Sequence, residues 1–370
     1  MGITQLKKSH LKRGFSVFAL LSATVMMGIL FWTTEYSTWP MVLHFKTVFI
    51  PFILLLSVAR WYADGMAFVT MTKHDHSAVA LPRATSIRLQ GNFVSTVLPI
   101  LLGHLTMHSY LLHKEKLRLS ESAAISVLRA ILPVFLFLLN IPILLMIKGE
   151  SHQTAMFSQF LKVVSLPLVI IILFLVIALA FPARIKRVAM NVFHIGMKIK
   201  FFRTKKILDW EKRIFREVDQ FHEILLTYFQ QKKWVLFKTA FWILTAFMLD
   251  YFIAMGILWG FGYHPPIIHA IAYQFLIRPI IYFAFTPGGV GFWELSYLGF
   301  FSMYMPQNLI GVSVFIWRMM LTYFPMLVGG IILFHEFNKD QYLKETLIEK
   351  GRIATEEELL NSTDEDQNWS

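Results

Sequence analysis

Six runs of this chain are predominantly apolar over about the length of a bilayer-spanning helix: Phe15 to Trp32, Val42 to Trp61, Ala123 to Ile147, Phe160 to Phe181, Thr239 to Phe261 and Leu309 to Phe334. A hydrocarbon core ~30 Å thick demands ~20 such residues. Within it a helix is the form in which one segment satisfies all its own backbone N–H and C=O groups. A transmembrane barrel would show alternating segments of about ten residues instead. Only 16% of the residues are charged, against roughly a quarter in a soluble domain. The pattern predicts an all-α polytopic membrane protein.

The first run follows Lys7, Lys8, Lys12 and Arg13 and ends in FWTTEYSTWP, which has no small-residue cleavage site. It reads as an uncleaved anchor with the N-terminus in the cytoplasm. Counting crossings from there places Glu35 to Pro40 outside, Lys73 to Arg88 inside, Lys148 to Met156 outside and both termini in the cytoplasm, as expected for a multi-pass protein of the cytoplasmic membrane. The net charge of +12 does not point to nucleic acid, because many of the basic residues fall between 182 and 238, interleaved with Phe, Ile, Leu and Met. That segment is expected to form basic amphipathic helices on an anionic cytoplasmic leaflet. Residues 338–370 are acidic and expected to be a disordered cytoplasmic tail. Cysteine is absent, so disulfides and thiolate metal sites are excluded.

Two further apolar segments, Thr85 to Leu112 and Ile267 to Met305, are broken at their centres, by Pro99 and Gly103 in one and by TPGGVG in the other. The tips PILLG and PGGVG carry no charge, which suits re-entrant hairpins. Two full crossings each would leave the downstream topology unchanged, so that alternative stays open. The expected architecture is six full spans plus two broken hairpins. Asp64 precedes Pro99 by 35 residues and Arg129 follows it by 30; Asp250 precedes Pro287 by 37 and Arg318 follows it by 31. Acid, broken segment and arginine thus recur with opposite direction of entry, an inverted repeat of the kind transporters use. Repeat one covers about 42–148 and repeat two about 238–337, within a transmembrane domain of residues 1–337.

Pro287 removes a backbone donor, and Gly288, Gly289 and Gly291 permit positive φ, so the chain after Thr286 is expected to turn sharply and leave amides free at the start of a helix from Phe292. Such a helix N-terminus attracts anions; a kink that serves only packing is the alternative. Glu294 falls in the first turn of that helix, and Arg318 and Arg278 are the cations available to it. The expected pairing is Glu294 with Arg318, with a lipid phosphate able to compete for the guanidinium. In the first half the candidate binding positions are Asn92, Pro99, Gly103 and Arg129. Asp64 and Asp250 are candidate coupling acids. His104 and His108 share a helix face but have no third ligand at convincing spacing, so no metal is expected, and no cofactor. No nucleophile, base and orienting acid occur in a catalytic order.

The residues TPGGVGFWE, with FIWRMMLTYFPMLVGG downstream and RWYADGMAF, GNFVSTVLP and SYLL in the first half, resemble the lysylphosphatidylglycerol synthase transmembrane-region family over about residues 10–337. That family includes the flippase half of the multiple peptide resistance factor and many stand-alone flippase-like proteins. The resemblance implies a polytopic domain that translocates lipids, with Thr286 to Gly291, Glu294 and Arg318 on the family pattern. The chain departs from the family in two places. Trp293 stands where members often carry Arg before the glutamate, and His104 and His108 follow the first-hairpin glycine where members often carry an acid and an arginine.

The expected function is translocation of a phospholipid or polyprenyl-phosphate headgroup, with anionic lipid at the cytoplasmic face, no nucleic acid and a homo-oligomer compatible with the sequence. A non-transporting lipid-binding or scaffold protein is the alternative, and an accessory to aminoacyl-phospholipid synthesis a third. An enzyme is not expected, since the segment between the repeats and the tail are both too short for an aminoacyl transferase.

Overall fold

The computed structural model describes residues 8–73, 78–97, 103–146, 219–279 and 286–349, with positions 173 and 284. Among them the regular structure is helical throughout: α1 (Lys8–Thr33), α2 (Thr38–Leu43), α3 (Phe49–Thr72), α4 (Leu81–Val97), α5 (Gly103–Lys114), α6 (Leu119–Met146), α7 (Lys233–Gly260), α8 (Ile267–Ile277), α9 (Phe292–Ser302), α10 (Gln307–Arg318) and α11 (Phe324–Glu349). A 3-10 turn (Pro287–Gly289) precedes α9, and a π-helical turn (Met319–Tyr323) joins α10 to α11. Five described helices are long and apolar enough to cross a membrane: Arg13–Thr33, Phe49–Thr72, Leu119–Phe137, Lys233–Gly260 and Gln307–Lys339, the last running through the π turn. The protein is an all-α polytopic membrane protein. The sixth apolar run, Phe160 to Phe181, the Lys148 to Met156 loop and the basic segment up to residue 218 lie outside the described residues.

Both broken segments consist of short arms. α4 and α5 have 17 and 12 residues, and α8 and α9 have 11 each, all below the ~20 that a bilayer requires. Pro99 lies outside the described residues, and Gly103 opens α5.

Small residues set the close helix contacts. α3 and α7 run antiparallel, tied at one end by the Lys46 N–H donating to the Gly260 carbonyl at 2.9 Å. Gly256 and Gly260 lie under Ile53 and Phe45, whose side chains occupy the space a Cβ would need. α11 runs antiparallel to α4, with Gly329 pressed on the Leu89 backbone and Gly330 under the Phe93 ring. At one end of that pair Arg83 bridges Glu336 on α11 and Glu115 after α5. α1 lies along α10, where Thr33 fills the space beside Gly311. The Ser57 hydroxyl donates to the Met320 carbonyl at 3.0 Å, joining α3 to the π turn.

α11 runs on to Glu349, past the boundary at 338 where a disordered tail was expected. Residues 331–350 contain neither Gly nor Pro and are rich in helix formers, so nothing stops the helix before Gly351. Residues 350–370 lie outside the described residues.

Gly329→Ala tests the α4 and α11 contact. A Cβ there meets the Leu89 carbonyl, which is backbone and has little room to yield. The expected cost is about 1–3 kcal/mol of stability, read as a lower unfolding temperature in detergent. Gly28→Ala, where a Cβ meets nothing within 4 Å, is expected to leave that temperature unchanged.

Candidate functional site

The TPGGVG loop adopts the conformation its glycines allow: Gly288, Gly289 and Gly291 have φ of 60°, 64° and 88°. Most of the loop's own amides are nevertheless engaged. Gly289 N–H donates to the Thr286 carbonyl at 3.0 Å and Val290 N–H to the Pro287 carbonyl at 3.3 Å. Gly291 N–H donates to Glu294 Oε2 at 2.8 Å. The Thr286 hydroxyl closes the loop on the Val290 carbonyl at 2.7 Å. The expected cradle of free amides is therefore largely spent on holding the turn.

Glu294 and Arg318 pair as expected, Nε to Oε1 at 2.7 Å, and are 0% and 1% exposed. The remaining guanidinium donors go to the Thr322 hydroxyl at 2.9 Å and the Gly288 carbonyl at 3.4 Å. Through Gly291 and Gly288 the pair grips both sides of the loop. Neither residue lines the adjacent cavity. Arg318 is thus a brace, and the picture of a phosphate competing directly for it is not supported by this geometry.

The cavity itself measures about 760 Å³ and lies between the two broken segments. Asn92, Ser95 and Thr96 near the end of α4 face Thr286, Gly288 and Gly289 across it. The Gly288 turn lies close against the end of α4 and against α1: a Cβ on Gly288 would stand 2.9 Å from the Thr96 methyl and 2.7 Å from the Phe18 ring.

Arg60, Arg88, Arg129 and Arg278 line this space together with Asp64 and Asp250. They form one continuous network. Asp64 is in contact with Arg129, lies 3.3 Å from Arg88 Nε and 3.9 Å from Arg60. Arg60 reaches across to Asp250, so a single guanidinium on α3 joins the carboxylates of α3 and α7. Asp250 Oδ2 also accepts from both terminal nitrogens of Arg278 at 3.1 Å. Arg278 lies 3.6 Å over the Phe247 ring and Arg129 5.1 Å over Phe68, which holds their planes in place. Buried charges in a bilayer are costly unless paired, and each carboxylate here serves more than one arginine.

Of the residues singled out in the sequence, Asp64, Asn92, Arg129, Asp250, Arg278, Thr286, Gly288 and Gly289 come together on the cavity. Pro287, Gly291, Glu294 and Arg318 support its wall from behind. Gly103 opens α5 directly before His104, and His104 and His108, one turn apart, also line the space. The repeat is uneven in its pairing: in the first half its acid and arginine, Asp64 and Arg129, meet each other, whereas in the second Asp250 holds Arg278 and Arg318 goes to Glu294. Arg60 and Arg88 were missed. Arg88, read as part of a basic cytoplasmic flank, instead lies on α4 and faces inward. A signal existed for each: Arg60 and Asp64 are four apart on one helix, and Arg88, Asn92, Ser95 and Thr96 recur at the spacing of one helix face. Trp293 also lines the cavity and packs beside Trp317, which is stacked on Tyr297 at 3.6 Å.

The profile of the lysylphosphatidylglycerol synthase TM region family matches residues 8–329. The chain belongs to this family. It is also similar to a UPF0104 membrane protein of Archaeoglobus fulgidus, with 20% identity over 329 residues that cover 89% of this chain and 98% of that protein. No solved structure matches it. The match reaches both broken segments, all four cavity arginines and the Glu294 and Arg318 brace.

Because that brace is buried, Glu294→Gln or Arg318→Leu alone is expected to destabilise the protein by about 3–5 kcal/mol, leaving one charge uncompensated. The double substitution is expected to recover only part of the loss, since the Gly291 and Gly288 contacts go with it. Denaturation in detergent micelles measures all three variants, and strictly additive losses would show that the two side chains act independently.

Proposed function

We propose that this protein carries a phosphate-bearing lipid headgroup between the two leaflets of the cytoplasmic membrane. The observation behind this reading is the cavity in which four arginines and two aspartates meet between two broken helical segments. Guanidinium forks suit phosphate oxygens. An incoming phosphate takes over guanidinium donors from Asp64 and Asp250, so the headgroup exchanges one set of charge contacts for another instead of crossing bare hydrocarbon. The Gly288 turn sets the distance between the two tips and with it the width of the passage. The family, which is named for a lipid-synthesis membrane region, supports a lipid as the ligand.

The orientation that goes with this reading has both termini and the basic segment before α7 on the cytoplasmic side, where that segment gathers anionic lipid. Asp64 and Asp250 serve as counterions to the cavity arginines and are the acids proposed to couple transport to an ion gradient. Translocation makes and breaks no covalent bond, so neither aminoacyl transfer nor a cofactor enters the proposal.

Reconstitution into liposomes that carry a headgroup-varied panel of leaflet-quenchable labelled phospholipids tests it. Wild type is expected to move at least one of them faster than protein-free liposomes. Gly288→Leu, which drives a side chain into Phe18 and Thr96, and Arg129→Gln are each expected to slow that transfer about ten-fold or more, the effect of losing a charge-assisted contact of roughly 1.5–3 kcal/mol. Folded variants that match wild type, or no transfer of any lipid under any ion gradient, would overturn the reading.

A further inference from the structure

The charge count of the cavity goes further than a general affinity for phosphate. Among the described residues four guanidiniums face two carboxylates, which leaves an excess of two positive charges even with His104 and His108 neutral. The Glu294 and Arg318 pair is self-compensated behind the wall and adds nothing to that excess. Donors remain to receive an anion: Arg60 Nη1 and Arg129 Nε are buried without a hydrogen-bond partner, on residues only 9% and 7% exposed.

Resting on the transport reading above, we infer that the headgroup this cavity is built for is a phosphate monoester, which carries close to two negative charges, and not the singly charged phosphate diester of most membrane phospholipids. A diester neutralises one of the two excess charges and leaves the other uncompensated at membrane depth, where an unpaired charge is costly. A monoester phosphate carries about −1.5 to −2 near neutral pH and presents three terminal oxygens to the fork-shaped donors. Its geometry fits as well. Arginines approach the space from α3, α4 and α6 and from the end of α8, so they surround a terminal phosphate, whereas a diester must thread a second ester arm between them. Apolar walls from Phe137, Phe247 and Phe275 take the first carbons of the lipid chain. The same chemistry occurs on a glycerolipid, on a polyprenyl chain and in free phosphate, so the ligand class is the monoester dianion.

The full-length protein in detergent, titrated at about pH 8 where the monoester is doubly ionised, decides this by thermal stabilisation. Two monoester probes, dioctanoyl phosphatidic acid and farnesyl monophosphate, and inorganic phosphate as the free dianion are compared with dioctanoyl phosphatidylglycerol as the diester. The expected result is half-maximal stabilisation by phosphatidic acid or farnesyl monophosphate at a concentration about ten-fold or more below that for the diester, which corresponds to ~1.4 kcal/mol. Preference for one of the two lipids identifies the chain, and equal stabilisation by inorganic phosphate identifies a free-anion site; either leaves the monoester assignment standing. Arg88→Gln, which removes one charge at the more exposed edge of the network, is expected to abolish the preference, and Arg88→Lys to retain it. Equal or tighter response to the diester, or a preference untouched by Arg88→Gln, overturns the inference. Liposome transfer of the same lipids separates the two readings. Transfer of diester with no monoester preference sinks this inference alone, and monoester binding without any transfer sinks the transport reading while the assignment of the site holds.

Discussion

Arg60 lies between two carboxylates inside a membrane protein, and much of the arrangement around it follows from that position. Its guanidinium contacts Asp250 on α7 and approaches Asp64 on its own helix, while Asp64 in turn holds Arg88 and Arg129. Removing either carboxylate strands arginine charge in a low-dielectric setting, so α3, α4, α6 and α7 must converge at one level. Four arginines and two aspartates cannot interdigitate as aliphatic side chains do. The helices that carry them are held apart around a cavity, and close packing shifts to the glycine contacts along α3 and α7 and along α4 and α11.

Two ionic arrangements therefore divide the work. Glu294 and Arg318 form a closed pair, balanced in charge and fully enclosed, whose remaining hydrogen-bonding capacity stabilises the turn at Gly288 and Gly291. The cavity network is open and unbalanced, with an excess of positive charge and donors that have no protein partner. The first gives the passage a fixed edge. The second is the part that responds to a ligand. Because the brace uses Arg318 up, the anion site is assigned to the arginines across the cavity from it.

Much of this was legible in the sequence. Five of the long apolar runs marked spans among the described residues, and the glycines after Pro287 marked the turn and the positive φ at Gly288, Gly289 and Gly291. Of the two cations available to Glu294, Arg278 and Arg318, the expected one, Arg318, is its partner. What stayed hidden depends on which way a helix faces. α7 is apolar around its whole circumference, so nothing in its sequence turns Asp250 toward Arg60 rather than toward Arg318. Arg88 looked like a flank charge because the start of α4 was not distinguishable from a loop. The amides of the TPGG turn looked available because side-chain capping by Glu294 is a matter of three-dimensional reach. The continuation of α11 to Glu349 was missed because acidic composition was weighed above the absence of any helix stop.

The central claim is that lipid phosphate enters the arginine cavity between the broken segments. Cryo-electron microscopy of the full-length protein in nanodiscs made from native lipid measures this directly. The account predicts compact phosphate density within hydrogen-bond distance of at least two of Arg60, Arg88, Arg129 and Arg278, continuous with a lipid chain leading out between the helices. A cavity holding only solvent, with lipid headgroups confined to the two membrane surfaces, would contradict it.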